Sequence, residues 1–133
     1  MKKLALGNTA SLSKKFSCSD VEQFAEMSGD KNPIHLNDKA AAQSVFKKRV
    51  VHGMLTASLI SGVLGSVMPG EGTIYLEQDL QFCKPVYIGD LCTAKVNVAE
   101  VLNKEKGIYR LKTWVQNQNN EIVIEGFAVV RYC

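Results

Sequence analysis

The stretch that decides the fold is HGMLTASLISGVLGSVM, residues 52–68, in the middle of the chain. It contains no Asp, Glu, Lys or Arg, and its apolar residues fall on every side of a helix. Such a helix is predicted to be buried all round. At about 24 Å it is too short, and too rich in Gly and Ser, to span a membrane. The rest of the chain is therefore expected to wrap around it.

The chain after this helix has the alternation of apolar and polar residues that is typical of long strands. Turn signals separate the strands, and PGEG at 69–72 ends the helix before them. Ala94, Val96 and Val98 share one face of the second strand. The predicted strands are 73–84, 91–102, 108–116 and 121–132.

The chain before the central helix predicts smaller elements. These are a short strand over 11–17, a helix opened by the capping box Ser19–Glu22 and ended by Gly29, and a short helix over 39–46. Helices followed by strands indicate an α+β fold. The economical arrangement is a four- or five-stranded antiparallel sheet curled around one helix. So small a sheet leaves an outer face and free edges, which predicts a homodimer.

Length and composition limit the functions that are open to the chain. Its 133 residues predict one domain, 1–133. The net charge of +3 is mild, and basic residues are scattered apart from two short runs, so we expect no nucleic-acid surface. The run Lys47–Arg49 is better explained as solvated surface than as a contact for an anionic ligand. We expect no membrane association.

The cysteines and the N-terminus indicate the compartment. Four cysteines show no metal-ligand spacing, so no metal site is predicted, and each is expected to be a small buried apolar side chain. The start, Met1–Asn8, is charged like a signal peptide but lacks the apolar core that must follow. We therefore expect a cytoplasmic protein with reduced thiols.

Asp30 and His35 form a close acid–imidazole pair, and Asp38, which also lies near His35, belongs to the cap of the next helix. Pro33 pushes Asn32 out of helical space and predicts a turn, which can bring the pair to face one point. A carboxylate and an imidazole aimed at one water molecule can act as general acid and base. An Asp that caps the turn and a His that binds a backbone group explain the residues equally well.

The central helix offers further candidates. The N–H of Gly53, at the helix start, would have no intrahelical partner and could stabilise a carbonyl oxygen that gains negative charge. Taken alone, Gly53 is better explained by tight packing of the helix start. Ser61 and the other hydroxyl residues of the helix are expected to bond back to its carbonyl groups. His52 is interpreted as a packed core histidine.

Taken together, four segments resemble the (R)-specific enoyl-CoA hydratases of the MaoC-like, hot-dog-fold family. The likeness is strongest to the short bacterial form linked to polyhydroxyalkanoate synthesis. It extends from about Ser11 to Arg131, and its most specific part is Asp-x-x-Asn-Pro-x-His followed by His-Gly. The four segments are VEQFAEMSGDKNPIHL at 21–36, VHGMLTASLIS at 51–61, PGEG at 69–72 and FCKPVYIGD at 82–90.

The resemblance implies a hot-dog fold and a homodimer that binds acyl-CoA in tunnels near its interface. Asp30 and His35 match the catalytic pair of the family, and Gly53 matches the residue whose N–H forms the oxyanion hole. Ser61 and Asn32 match supporting residues. Leu64 and Val129 are predicted to line the acyl pocket. The resemblance implies no metal or redox cofactor. CoA is part of the substrate and is not a separate cofactor.

Three other functions remain open at this point. A 3-hydroxyacyl-acyl-carrier-protein dehydratase would run the reverse reaction on another carrier. A hot-dog acyl-CoA thioesterase is a second alternative, although the Asn32–His35 context is the form found in hydratases. A non-catalytic acyl-CoA-binding protein is the third, and it should have lost the acid or the imidazole.

Overall fold

The computed structural model describes residues 4–133. The charged start at residues 1–3, on which the signal-peptide interpretation depends, lies outside this range. The helices are α1 Cys18–Ser28, α2 Pro33–Leu36, α3 Asp38–Ala42 and α4 Gly53–Ser66. The strands are β1 Thr9–Lys15, β2 Ile74–Gln78, β3 Gln81–Phe82, β4 Leu91–Asn103, β5 Ile108–Gln116 and β6 Ile122–Arg131.

The described strands form one antiparallel sheet in the order β1-β4-β5-β6-β2, with β3 also paired to β6. The sheet therefore has six strands, one more than the largest number predicted. The sheet curls around α4, which packs against β1, β4 and β5. This confirms the predicted arrangement. The helix and sheet bury apolar side chains against each other, among them Ile60, Val63, Leu64, Ala94, Val96, Val98, Leu111 and Val130.

The prediction that α4 is buried on all sides is wrong for the chain described here. Met54 is 59% exposed, and Ser58 and Ser61 lie on the same exposed face. The sheet of one chain covers only one side of the helix, although the sequence is apolar around its whole circumference. No helix within residues 4–133 combines the length and the apolar character needed to cross a bilayer.

The predicted strand over 73–84 is interrupted at Asp79. The Asp79 N–H donates to the Phe127 carbonyl oxygen at 3.0 Å, and its Oδ1 accepts the Phe127 N–H at 3.1 Å. The Asp79 backbone passes so close to Gly126 that a Cβ there would overlap the Asp79 carbonyl oxygen. This crossing divides the strand into β2 and β3. The alternation predicts one apolar face of Ile74, Leu76, Leu80 and Phe82, but only Leu80 packs against the core, and the other three are exposed.

Helix α1 begins two residues earlier than predicted. Ser17, not Ser19, is the N-cap: its Oγ accepts the Asp20 N–H, and Asp20 accepts the Ser17 N–H in return. Both serines precede an acidic residue by three positions, so the capping pattern alone is ambiguous. Phe16 and Val21, which flank the observed cap, are both buried in the core, as in a hydrophobic staple. Gly29 ends the helix in a left-handed conformation, as predicted.

Candidate active site

The chain turns after α1, so that Asp30 precedes the short helix α2 and His35 lies within it. Asn32 is the N-cap of α2: its Oδ1 accepts the Ile34 N–H, and its own N–H donates to Asp30 Oδ1, both at 3.3 Å. Pro33 occupies the first helical position, where its missing N–H costs nothing. The segment predicted as a turn thus includes one helical turn that carries His35.

His35 is buried, with 7% of its surface exposed, and the next segment of the chain fixes its ring. The Nδ1 atom lies 2.7 Å from the Val50 carbonyl oxygen, which can only accept a hydrogen bond. The proton of the neutral ring is therefore on Nδ1, and Nε2 holds a lone pair that can accept a proton. Arg49 Nε donates to the His35 carbonyl oxygen at 2.7 Å and holds the backbone of the same residue.

Arg49 is half-buried, whereas Lys47 and Lys48 are exposed. The expectation of a solvated basic run is therefore correct for the two lysines only. Lys48 Nζ lies 4.6 Å from the centre of the Tyr87 ring.

A second histidine completes the cluster. His52 is 2% exposed, and its Nε2 donates to the Asp30 carbonyl oxygen at 2.9 Å. Its ring stacks on that of His35, with centroids 3.8 Å apart and planes inclined by 27°. Burial lowers the pKa of His52, an effect that its bond to the Asp30 carbonyl partly opposes. The expectation that His52 is a packed core histidine is confirmed. Its ring packs on His35, the imidazole of the candidate catalytic pair.

Side-chain atoms of Asp30, His35 and His52 lie within 4.8 Å of one another. Such a group has the residue types of a metal site. Each imidazole donates one ring N–H to a backbone carbonyl, which leaves one ring nitrogen with a lone pair. The Asp30 carboxylate and His35 Nε2 can also hold a water molecule, which is the use predicted for this pair.

A cavity of about 440 Å³, which we call the Gly53 cavity, opens beside this cluster. Most of its walls are apolar, so it can hold a thioester and part of an acyl chain. His35 and Gly53 both line it, which brings a candidate base and the start of α4 to one space. Its lining includes Ile34, His35, Phe46, Gly53, Phe82 and Cys83.

Gly53 is the first residue of α4, and the N-cap, His52, makes no side-chain capping bond. The first backbone bond into the helix comes from Thr56, whose N–H donates to the His52 carbonyl oxygen at 3.0 Å. Within the described chain, the Gly53 N–H has no hydrogen-bond acceptor. It is exposed at the positive end of the helix dipole, where a developing negative charge is stabilised.

The other predicted site residues lie away from this cavity. Ser61 is eight residues, or about 12 Å, along the helix axis from Gly53. It lines a second space of about 440 Å³ between α4 and β2, the Ser61 groove, together with Met54, Tyr75 and Leu76. Thr56 and Ser58 bond back to helix carbonyl groups, as predicted, but no such bond is found for Ser61.

The two residues predicted to line the acyl pocket occupy different environments. Leu64 is 1% exposed in the core, and Val129 is half-buried on β6, opposite Glu77. Neither of them lines the Gly53 cavity or the Ser61 groove. Their part in acyl binding stays a prediction.

Sequence reasoning missed three contributors to the site: Arg49, Phe82 and the bonding role of His52. Arg49 was placed in a surface run, and no local pattern links it to His35, which lies 14 residues earlier. Phe82 covers Gly53 so closely that a Cβ on Gly53 would lie 2.7 Å from two of its ring carbons. This contact joins segments 29 residues apart, and no local pattern encodes it.

The expectation of buried cysteines is also wrong for three of the four. Cys92 is buried, and burial raises the pKa of its thiol to about 11. Cys18, Cys83 and Cys133 are exposed, and Cys83 lies in the wall of the Gly53 cavity. Cys18 is the first residue of α1, and Cys83 and Cys133 lie just beyond the ends of β3 and β6.

The sheet wrapped around one helix, with an acid–imidazole cluster at the N-terminal end of that helix, defines a hot-dog-fold protein. The chain belongs to the MaoC-like domain family, whose pattern matches residues 6–120. It is 45% identical to an (R)-specific enoyl-CoA hydratase of Aeromonas caviae over 96% of this chain and 95% of the relative. It is 44% identical to a 3-hydroxybutyryl-CoA dehydratase of Methylorubrum extorquens over 96% of this chain and 80% of the relative.

The same likeness holds in three dimensions. The solved structure of an (R)-hydratase from A. caviae, described as involved in PHA biosynthesis, matches with a TM-score of 0.95. The identity is 44%, and all of both chains is covered.

Proposed function

We propose that this protein is a hydro-lyase that adds water to trans-2-enoyl-CoA and forms (R)-3-hydroxyacyl-CoA. One observation carries the proposal: His35, with its Nδ1 proton fixed on Val50, lines the same cavity as the free N–H at the start of α4. The identity of 45% to an (R)-specific enoyl-CoA hydratase, over nearly the whole of both chains, supports the same reaction.

The chemistry follows from the positions of the groups. A water molecule between the Asp30 carboxylate and His35 Nε2 loses a proton to the imidazole as its oxygen bonds to C3 of the enoyl group. The electron pair of the C2–C3 double bond moves toward the carbonyl, and the thioester oxygen becomes negative. The Gly53 N–H stabilises that oxygen. The proton then passes from the Asp30–His35 pair to C2, so that water has been added across the double bond.

Dehydration of (R)-3-hydroxyacyl-CoA is the same reaction in reverse and uses the same groups. A thioesterase would also need an activated water molecule and an oxyanion site, but it would direct the water to the carbonyl carbon. The two activities are separated by their products, because only a thioesterase releases free CoA.

The direct test is to incubate the purified protein with crotonyl-CoA and follow the absorbance of the conjugated thioester. Chiral analysis of the product and titration of free thiol complete the assay. We expect absorbance loss, (R)-3-hydroxybutyryl-CoA and no free CoA. An (S)-product, or CoA release without hydration, would overturn the proposal.

The proposed reaction needs no metal or redox cofactor, because a proton and a polarised carbonyl suffice. Activity is therefore expected to survive dialysis against EDTA. The free state of all four described cysteines supports a cytoplasmic location, where thiols stay reduced.

We also propose a homodimer as the active form. Met54 and Leu76, exposed on α4 and β2, line the Ser61 groove and give it an apolar surface that a second copy would cover. Light scattering during gel filtration should give twice the mass of one chain. Leu76→Glu should shift that mass toward a single chain, and a monomeric wild-type protein would contradict the proposal.

A further inference from the structure

His52 contains a buried nitrogen atom that packing alone does not explain. Its Nε2 donates to the Asp30 carbonyl oxygen, but its Nδ1 is fully buried and has no hydrogen-bond partner within the described residues. An apolar ring would fill the same space between Phe24 and His35 without leaving a polar atom unpaired. The benefit of a histidine here must therefore come from the other nitrogen.

The Nε2–H of His52 holds the residue that carries the candidate acid. The Asp30 side chain is exposed and accepts one bond, from the Asn32 N–H to Oδ1, so its position depends on the backbone of this turn. That backbone is fixed on both sides: the N–H donates to Ser28 Oγ at 3.1 Å, and the carbonyl accepts from His52. A connection across 22 residues thus joins the start of α4 to the end of α1.

The His52 ring also packs against one face of the His35 ring. The two ring centroids are 3.8 Å apart, so each imidazole restricts the orientation of the other. The Val50 carbonyl oxygen fixes the proton of His35 on Nδ1. Since Nδ1 of His52 faces no acceptor, a second proton on that ring would be buried without a partner. Protonation of His52 is therefore disfavoured, which limits the positive charge beside His35 when that ring accepts a proton.

We infer that His52 is a positioning residue that aligns Asp30 with His35 through its Nε2–H bond to the Asp30 carbonyl. This inference rests on the proposed hydratase function. It predicts that the two histidines of the chain hold opposite tautomers, with the proton on Nδ1 of His35 and on Nε2 of His52.

The kinetic test separates the effect of the His52 Nε2–H donor from the effect of its aromatic ring. His52→Phe keeps an aromatic ring and removes the donor, whereas His52→Gln removes the ring and keeps an N–H near the same position. In His52→Phe we expect kcat for crotonyl-CoA to fall by about tenfold, the factor that one lost hydrogen bond of ordinary strength gives, with KM within about threefold. His52→Gln should restore kcat to within about threefold of wild type.

Thr113→Val serves as the matched control. Thr113 is a fully buried polar residue of the sheet whose Oγ1 donates to the Gly126 carbonyl oxygen, away from the cluster. This variant should lower the melting temperature and leave kcat unchanged. An unchanged kcat in His52→Phe, an equal loss of kcat in both His52 variants, or a change confined to KM would each overturn the inference.

A second measurement does not depend on activity or on a variant that must fold. The chain has two histidines, so nitrogen-15 NMR of the wild-type protein reports two imidazole rings. We expect one ring protonated on Nδ1 and the other on Nε2. Two rings with the same tautomer, or a doubly protonated His52 at neutral pH, would overturn the inference. Wild-type protein that hydrates no enoyl-CoA would refute the proposed function, and the NMR result would still decide whether the His52 bond exists.

Discussion

The Phe82 ring lies directly over Gly53, so that a methyl group on Gly53 would come within 2.7 Å of two ring carbons. Gly53 is the first residue of α4, and its backbone is not left-handed. Glycine is therefore required here by the close approach of Phe82 and not by backbone conformation. The contact joins the candidate oxyanion donor to the wall of its cavity.

Gly53→Ala should therefore lower activity by displacing Phe82 into the cavity or by moving the helix start. We expect kcat/KM for crotonyl-CoA to fall by about 10²-fold or more, the loss seen when an oxyanion donor is misplaced. A second substitution, Phe82→Leu, removes the ring that the methyl group meets and should recover part of the activity. Loss of the same size in the single and double variants would show that Phe82 is not the obstacle.

Cys83 gives chemical access to the same cavity. Its thiol is exposed in the wall that also holds Gly53, whereas Cys92 is buried with a pKa raised to about 11. N-ethylmaleimide should label Cys83, spare Cys92 and abolish hydration by filling the cavity. Cys83→Ser should keep its activity after the same treatment, even though Cys18 and Cys133 are still labelled. Inactivation of that variant would place the substrate elsewhere.

The stability of the protein should depend on His52 in mildly acidic solution. Burial holds the pKa of His52 in the folded protein below its ordinary value of 6.5. As the pH falls below 6.5, the unfolded chain binds a proton that the folded chain does not, so the free energy of unfolding decreases. Urea titrations at several pH values between 7 and 5 should show this loss in wild type and a smaller loss in His52→Phe. Identical pH slopes would contradict the assignment.

Much of the fold is encoded locally and could be predicted. The apolar stretch at 52–68 predicts a central helix, and Ala94, Val96 and Val98 are buried as their alternation predicts. The break at Asp79 was not predicted, because apolar residues alternate on both sides of it and only Gln78 departs from the pattern. The break depends on the bonds of Asp79 to Phe127, a residue of β6 that lies 48 positions later in the chain.

The candidate site also contains one part that the local sequence predicts and another that depends on contacts between distant segments. Asp30, Asn32 and His35 lie within six residues, and Pro33 fixes the turn between them, so their proximity follows from the local sequence. The bond from His52 to Asp30 and the contact of Phe82 with Gly53 depend on how distant segments meet. The exposed side of α4 was mispredicted because apolar character around a helix does not distinguish burial within one chain from burial between two.

The central claim is that Asp30 and His35 activate the water molecule. The most direct test measures kcat for crotonyl-CoA hydration in Asp30→Asn and His35→Gln, with circular dichroism and melting temperature as checks on the fold. We expect each variant to stay folded and to lose about 10²–10⁴-fold in kcat, the contribution of a general acid or base. Folded variants that keep activity within about threefold of wild type, below the smallest loss expected for such a group, would show that the pair is structural and would contradict the account.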